Sequence, residues 1–481
     1  MTASRSACRA SRLAAPALLA CLLACGRPDG TAPGGDADRS SAGASGTGAA
    51  DRSGEAGGRG RIVVFGIDGA DWQVIEPLAA RGRLPAFKRL IEEGATGTLL
   101  SQEPSASPSL WTTIATGVGP ARHGIHGFVV GDGAGAAAHD DDPRAPRADG
   151  QAAVRPVTSG MRRAPAFWNI LPRYGRKVGV VGWLVTWPAE PTNGYIVSSY
   201  LPYIYNWSTG RPLKGTIVKG IPRQTFPEAL IDELEADKVK PAGLEGDLIG
   251  RFYDPIAVSG LPRDDRECVL GFLWSLACDE TYRRIGERLY REYPVDLFAI
   301  YFGGVDVASH RFWKFAHPDA LPYGVTPARA GVLGGVIDAY YVYLDGLLGE
   351  YMNRLGTDGT LVVLSDHGFK PVLFPGKPTT SGHHRLQGII GFYGRGVKRG
   401  GRIASAGLVD VLPTLLRLLD VPIAQDLEGR VIADALDAGF LGSRPAASVA
   451  TYGPLDRPAE PGESELDRNV LERLRSLGYI N

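Results

Sequence analysis

The sequence predicts an α/β fold: a mostly parallel sheet sandwiched by helices, with an inserted lid or subdomain. Short apolar runs recur at 61–69, 177–183, 297–302, 360–365 and 388–393. They are too short for core helices and lack the alternation of a half-exposed strand, so they read as strands buried on both faces. Helical patterns fall between them, notably at 85–93 and 332–355. Strands alternating with helices argue for a parallel sheet covered on both sides. The 481 residues suffice for one large domain with insertions or for two domains.

The chain opens with a different kind of sequence. Arg5, Arg9 and Arg12 precede an apolar run at 13–24, which is too short to span a bilayer as a helix. This is the pattern of an export signal. The run ends Leu22-Leu23-Ala24-Cys25-Gly26, which resembles a bacterial lipobox, so Cys25 is the expected site of lipid attachment and Cys21 the competing one. Residues 1–25 are therefore read as a lipoprotein-type signal peptide. Residues 26–60, mostly Gly, Ala, Ser, Asp and Arg, read as a disordered tether that cannot bury enough apolar surface to fold. The expected location is the cell envelope, on the periplasmic face of the outer membrane of a Gram-negative bacterium, with membrane contact through the anchor. Loss of residues 1–24 removes three arginines and no acids, leaving 49 basic against 52 acidic residues. That balance gives no reason to expect binding to a nucleic-acid polymer.

The catalytic domain is expected over 61–440. Its first strand stops at Asp68 and Gly69, and open α/β sheets place ligands at such carboxyl ends. Residues 85–93 form a short amphipathic helix marked by Phe87, Leu90 and Ile91. Next, Ser107 stands at an N-cap position, Pro108 suits the first helical turn, 110–115 supply an apolar body and Gly117 ends it. A hydroxyl there faces free backbone N–H groups, which favours an approaching phosphate or sulfate ester; plain capping is the alternative. Residues 131–154 read as a surface insertion, and the run His139-Asp140-Asp141-Asp142 within it as a solvated acidic loop.

A helix at 165–174 leads into the strand at 177–183. The irregular stretch 187–260, with Tyr200, Tyr203, Tyr205, Trp207 and Tyr253, is taken as the lid that shapes the substrate pocket. A helix over 265–293 sets Cys268 and Cys278 ten residues apart, roughly 15 Å along its axis and too far for a disulfide. Two free thiols are expected. A last helix of the domain falls at 408–419, and the extension 441–481 carries a short helix at 466–477.

Ligand-type residues gather just after the strands. Asp68 ends the first, Asp306 and His310 follow the strand at 297, Asp366 and His367 end the strand at 360, and His383 and His384 precede the one at 388. Asp306 and His310 are one helical turn apart and so point the same way. Carboxylates with imidazoles suit zinc or another borderline divalent ion, and six such ligands are enough for two ions with positions left open.

As a set these residues resemble the alkaline phosphatase superfamily, above all its type I phosphodiesterase and nucleotide pyrophosphatase branch. The likeness is carried by Ile67-Asp-Gly, Ser-Pro-Ser-Leu-Trp-Thr-Thr-Ile-Ala-Thr-Gly, Arg122-His-Gly-Ile, Asp306-x-x-x-His310, Ser365-Asp-His-Gly-Phe369, His384-Arg and Val409-Asp-Val-Leu-Pro-Thr, from about 61 to 435. The resemblance implies two zinc ions, one held by Asp68, Asp366 and His367, the other by Asp306, His310 and His384. It also implies a nucleophile nine residues before Thr116, which is Ser107.

Two departures stand out. The nucleophile is Ser where many diesterases have Thr, and Pro108 follows it directly where the family often has Pro one residue later, which keeps Ser105 as a competitor. Leu110, beside Ser109, stands where nucleotide pyrophosphatases have a phosphate-holding Asn, which counts against nucleotides. Ser109 and Arg385 are the expected substrate contacts, with Lys370 an alternative cation. Thr112 and Thr113 belong to the helix interior, and His123 to a structural turn.

The resemblance thus implies hydrolysis of a small-molecule, lipid or glycan phosphoester, mono- or diester, through a covalent phosphoseryl intermediate. A sulfatase on the same scaffold is the alternative, although 106–110 lacks the arginine of the formylglycine signature. Envelope head-group phosphotransfer and a binding protein without catalysis are the others.

Overall fold

The computed structural model describes residues 61–131, 154–201, 204–205, 215–216, 222–374 and 379–455. Cys25, the tether, the acidic run at 139–142, Tyr203, Trp207 and the helix at 466–477 lie outside them.

Nine strands form the main sheet. In chain order they are β1 (Ile62–Ile67), β2 (Ala95–Leu100), β3 (Val178–Val181), β4 (Gly194–Val197), β5 (Thr225–Phe226), β6 (Leu297–Phe302), β7 (Thr360–Leu364), β10 (Gln387–Gly394) and β11 (Gly401–Gly407). The labels β8 and β9 belong to a separate hairpin, Gly368–Pro371 and Gly382–Arg385. The order across the sheet is β11-β2-β10-β7-β1-β6-β3-β4-β5. Pairing is parallel from β7 through β1, β6 and β3 to β4 and between β11 and β2, while β10 runs antiparallel to both its neighbours. The expected mostly parallel sheet is present, with an antiparallel strand inside it.

Every residue of β1 is buried, as its unbroken apolar sequence requires. Alternation sends Val63, Phe65 and Ile67 to one face and Ile62 and Val64 to the other. The first face is covered by α1 (Trp72–Ala80), α2 (Pro85–Glu93), α4 (Arg263–Glu292) and α6 (Val336–Arg354), the second by α3 (Ser107–Thr116) and α7 (Val411–Leu418). The stretch Pro327–Arg354 is long and apolar enough to cross a membrane by composition, yet 56% of its most apolar window is buried inside the protein. It serves here as a core helix.

Register positions the functional edge. Ile67 is level with Phe302, and Gly66 with Leu364. Asp68, Gly303 and Ser365 therefore leave the sheet side by side, on neighbouring strands about 5 Å apart. Helix α5 (Gly304–Ala316) starts from this edge with Asp306 and His310 in its first two turns. The hairpin β8–β9 folds His384 back against it, in register with Phe369.

Several boundaries differ from expectation. The stretch 187–260 is not wholly an insertion, because β4 and β5 complete the sheet at one end. Leu230, Leu234 and Val258 from its short helices and Phe252 from a turn between them join the core. The helix at 165–174 divides into an α turn, Phe167–Ile170, and a tighter 3₁₀ turn, Leu171–Tyr174. Cys268 and Cys278 both lie on α4 and form no disulfide with each other.

His123 is a buried structural residue. Its Nδ1 accepts from the Ile125 N–H at 3.1 Å, and its Nε2 lies 3.0 Å from Thr113 Oγ1, which itself donates to the Ser109 carbonyl. The ring is thereby neutral with the proton on Nε2. Burial, with help from His126 and Arg162, lowers its pKa from 6.5 to about 3. The unfolded chain therefore takes this proton first as pH falls, so stability is lost between pH 6.5 and about 3, by about 1.4 kcal/mol per unit. Chemical denaturation of wild type and His123→Gln across that range is expected to show the wild type's margin shrinking toward low pH. A constant margin would contradict it.

Candidate functional site

Ser107 is the first residue of α3, and the N-cap position belongs to Ala106, which makes no side-chain cap bond. The expected N-cap placement of Ser107 is thus corrected by one residue, and the alternative of plain capping falls away. The Ser107 hydroxyl is free of that duty and instead lies 3.4 Å from Asp68 Oδ1. The other oxygen of Asp68 is committed, accepting from Tyr301 OH at 2.6 Å and Trp111 Nε1 at 3.1 Å. These two donors fix the carboxylate so that Oδ1 faces the site. Gly69 follows with φ +73, and a side chain there would meet the Phe369 ring at 2.6 Å.

The three histidines are oriented by backbone carbonyls. His310 Nδ1 is 2.9 Å from Gly382 O, His384 Nδ1 2.8 Å from Ser105 O, and His367 Nδ1 3.2 Å from Gly368 O. A carbonyl only accepts, so each Nδ1 holds a proton and each ring turns its Nε2 inward. His310 Nε2 and His384 Nε2 are 3.0 Å apart, and both stand 3.3 Å from Asp306 Oδ1. With neutral rings the two Nε2 lone pairs and Asp306 Oδ1 would be three acceptors without a donor, an arrangement that a cation among them relieves.

A second convergence adjoins the first. His367 Nε2 is 3.2 Å from Asp68 Oδ1, 3.6 Å from Asp366 Oδ2 and 3.8 Å from Asp306 Oδ1. Asp306 Oδ1, Asp366 Oδ2 and His367 Nε2 are all buried with no properly aligned hydrogen bond. Among the described residues, atoms able to hold a metal ion fall into two overlapping groups, Asp306 with His310 and His384, and Asp68 with Asp306 and His367. Asp306 thus borders both groups, and Asp366 stands just behind the second.

Protonation follows this crowding. Burial, then the charge of Asp68, pushes the Asp366 carboxyl well above the usual range. Burial works against the charged forms of Asp306 and His367 as well. Even so, His310 and His384 hold Asp306 well below its ordinary value, and Asp366, Asp68 and Asp306 lift His367 to about 10. Burial, aided by charge on His367, lowers His384 to about 4. Three carboxylates in so dry a space call for positive charge, and divalent ions fit the mixed N and O donors.

Arg385 does not reach toward an ester. Its guanidinium is spent on Asp71, with bonds of 2.7 and 2.8 Å. Asp71 also accepts from Phe369 N–H and Gln73 N–H, so the pair clamps the β1–α1 loop to the hairpin that bears His384. Arg385, expected as a substrate contact, thus has a structural partner in Asp71. Lys370 is exposed on β8, and Ser105 contributes its carbonyl to His384. Ser109 is fully buried and its hydroxyl has no partner. Of the residues the sequence reading missed, Trp111 had a signal, since it lies one turn after Ser107 on the same helix face. Tyr301 and Asp71 had none, because their partners are remote in the chain.

A mostly parallel sheet thus carries a cluster of carboxylates and imidazoles at the carboxyl ends of its central strands. The chain belongs to the type I phosphodiesterase / nucleotide pyrophosphatase family, whose model matches residues 62–393. This is the branch that the motifs resemble. Two crystal structures of phosphonoacetate hydrolase from Sinorhizobium meliloti 1021, in complex with phosphonoformate and phosphonoacetate, are similar at 21% and 20% identity. They cover 65% and 66% of this chain and 57% and 58% of their own, with TM-scores of 0.35 and 0.34. The chain thus spans less than two thirds of that protein's length. No match was found among curated proteins.

If the orphaned acceptors are cation ligands, zinc used as a probe at 100 times its Kd raises stability by about 2.7 kcal/mol. Thermal unfolding with zinc and after chelation measures this. Tyr301→Phe, which removes one of the two donors to Asp68 Oδ2, is expected to weaken zinc binding about tenfold. Unchanged affinity would remove Tyr301 from the site.

Proposed function

We propose that the protein hydrolyses small-molecule, lipid or glycan phosphoric esters, mono- or diesters, with Ser107 as nucleophile and two divalent ions, zinc by preference. Asp68, Asp366 and His367 would hold one ion and Asp306, His310 and His384 the other. The observation that carries the reading is the Ser107 hydroxyl, 3.4 Å from Asp68 Oδ1 at a helix start and directed to the buried acceptor cluster.

When bound, such ions supply the positive charge that favours a serine alkoxide and offsets charge on the ester oxygens. Ser107 Oγ gives its proton to solvent and attacks phosphorus, the bond to the leaving oxygen breaks, and that oxygen takes a proton from solvent and departs as an alcohol. Water then attacks the phosphoserine, the Oγ–phosphorus bond breaks, and serine is regenerated with release of phosphate or a phosphomonoester. The start of α3 presents its backbone dipole to the phosphoryl group. Ser109, buried and unpartnered, supplies a hydroxyl donor from the same turn. Asp68, held by Trp111 and Tyr301, keeps its free oxygen beside the nucleophile.

Assays of the purified mature chain on aryl phosphomonoester, phosphodiester and sulfate ester test this reading. Phosphoester hydrolysis is expected, lost on chelation and reduced about 10³-fold or more in Ser107→Ala. Full activity in that variant would overturn the mechanism, and preference for the sulfate ester would favour the sulfatase alternative.

The leader supports export and anchoring at Cys25 on the periplasmic face of the outer membrane. A lipid precursor fed to expressing cells is expected to label the wild type and not Cys25→Ala. Labelling that persists in Cys25→Ala would move the anchor to Cys21.

A further inference from the structure

Helix α5 carries Asp306 and His310, yet its own N-cap residue is Gly303, which has no side chain to satisfy the first backbone N–H groups. The missing cap comes from another helix. Asp279 of α4 is buried, and its Oδ1 accepts from Gly303 N–H at 3.1 Å while Oδ2 accepts from Gly304 N–H at 3.0 Å. Tyr340 of α6 donates its hydroxyl to Oδ2 at 2.9 Å. Three donors on one carboxylate fix the helix start against two others. The fit is close: a side chain at Gly304 would come within 1.8 Å of Tyr340 OH and 2.7 Å of Asp279 Oδ2. Asp306 is only two residues further on.

We propose that Asp279 is a positioning residue for the metal centre, holding the start of α5 so that Asp306 stands between the two groups of ligands. This rests on the two-metal reading of the site. An anion at a helix N-terminus is favoured both by charge-assisted hydrogen bonds and by the helix dipole. Here the same bonds set the distance of a ligand carboxylate from Asp68 and Asp366, which leave adjacent strands. Loss of one carboxylate acceptor would let the first turn of α5 shift, and a small displacement there is felt at the ligands.

The fold contains its own control. Asp345 of α6 is also buried and accepts from Ala86 N–H at 3.1 Å and Phe87 N–H at 2.8 Å, capping α2 in the same manner. Helix α2 bears no ligand. A merely structural role predicts that Asp279→Asn and Asp345→Asn behave alike, whereas positioning predicts that only the first changes the metal centre.

The test uses the full chain with zinc and, separately, cobalt(II) as probes. Calorimetry gives affinity and stoichiometry, the cobalt absorption spectrum reports ligand geometry, and kcat and KM are measured on an aryl phosphoester. Asp279→Asn is expected to bind zinc about 10- to 100-fold more weakly, with an altered cobalt spectrum and a loss in kcat exceeding any change in KM. Asp345→Asn is expected to retain wild-type zinc affinity, spectrum and kcat even where its unfolding temperature falls. Wild-type affinity and spectrum in Asp279→Asn would overturn the proposal, as would equal losses in both variants. Should Asp279→Asn fail to fold, Tyr340→Phe decides: weaker zinc binding is expected, and unchanged binding overturns it. A wild type that binds no zinc would instead sink the two-metal reading itself, and this inference with it.

Discussion

The structure depends on an electrostatic constraint at one edge of its sheet. The parallel register of β7, β1 and β6 brings their carboxyl ends level, so Asp68, Asp306 and Asp366 share a small space with His310, His367 and His384. None of these groups can relieve its neighbours alone. Burial weakens screening and makes each unpaired charge expensive, so the cluster is tolerable only where positive charge completes it.

Much of the surrounding architecture keeps those ligand atoms aimed. Each imidazole commits one nitrogen to a main-chain carbonyl, and Asp68 commits one oxygen to Trp111 and Tyr301, leaving the opposite atom for the site. Asp71 and Arg385 secure the hairpin that presents His384, and Asp279 secures the helix that presents Asp306. These contacts join segments up to 314 residues apart. The site is therefore a product of the whole domain and not of any single loop.

Legibility in the sequence followed the local strength of each pattern. Strands β1, β3, β6, β7 and β10 were readable because burial on both faces demands continuous apolar sequence. Strand β2, Ala-Thr-Gly-Thr-Leu-Leu, was not, since glycine and threonine dilute the signal, and β11 at the sheet's edge alternates buried and exposed positions. Arg385 illustrates the limit for side chains. Its place next to His384 suggested an ester contact, but Asp71, unremarkable in sequence, claims its guanidinium. Ser107 illustrates the reverse: helix start and hydroxyl were legible, whereas its freedom from capping depended on where Ala106 falls.

The sequence by itself determined the fold class, the family and the six residues that converge, because strand ends and short motifs are local properties of the chain. Tertiary structure decided how they converge. It placed Asp306 between the two ligand groups, turned each histidine's Nε2 inward, withdrew Arg385 into a structural pair, and supplied α5 with a cap from α4. The physical reason is that hydrogen-bond partners and desolvation depend on which segments pack together, and in this fold those segments are distant in sequence.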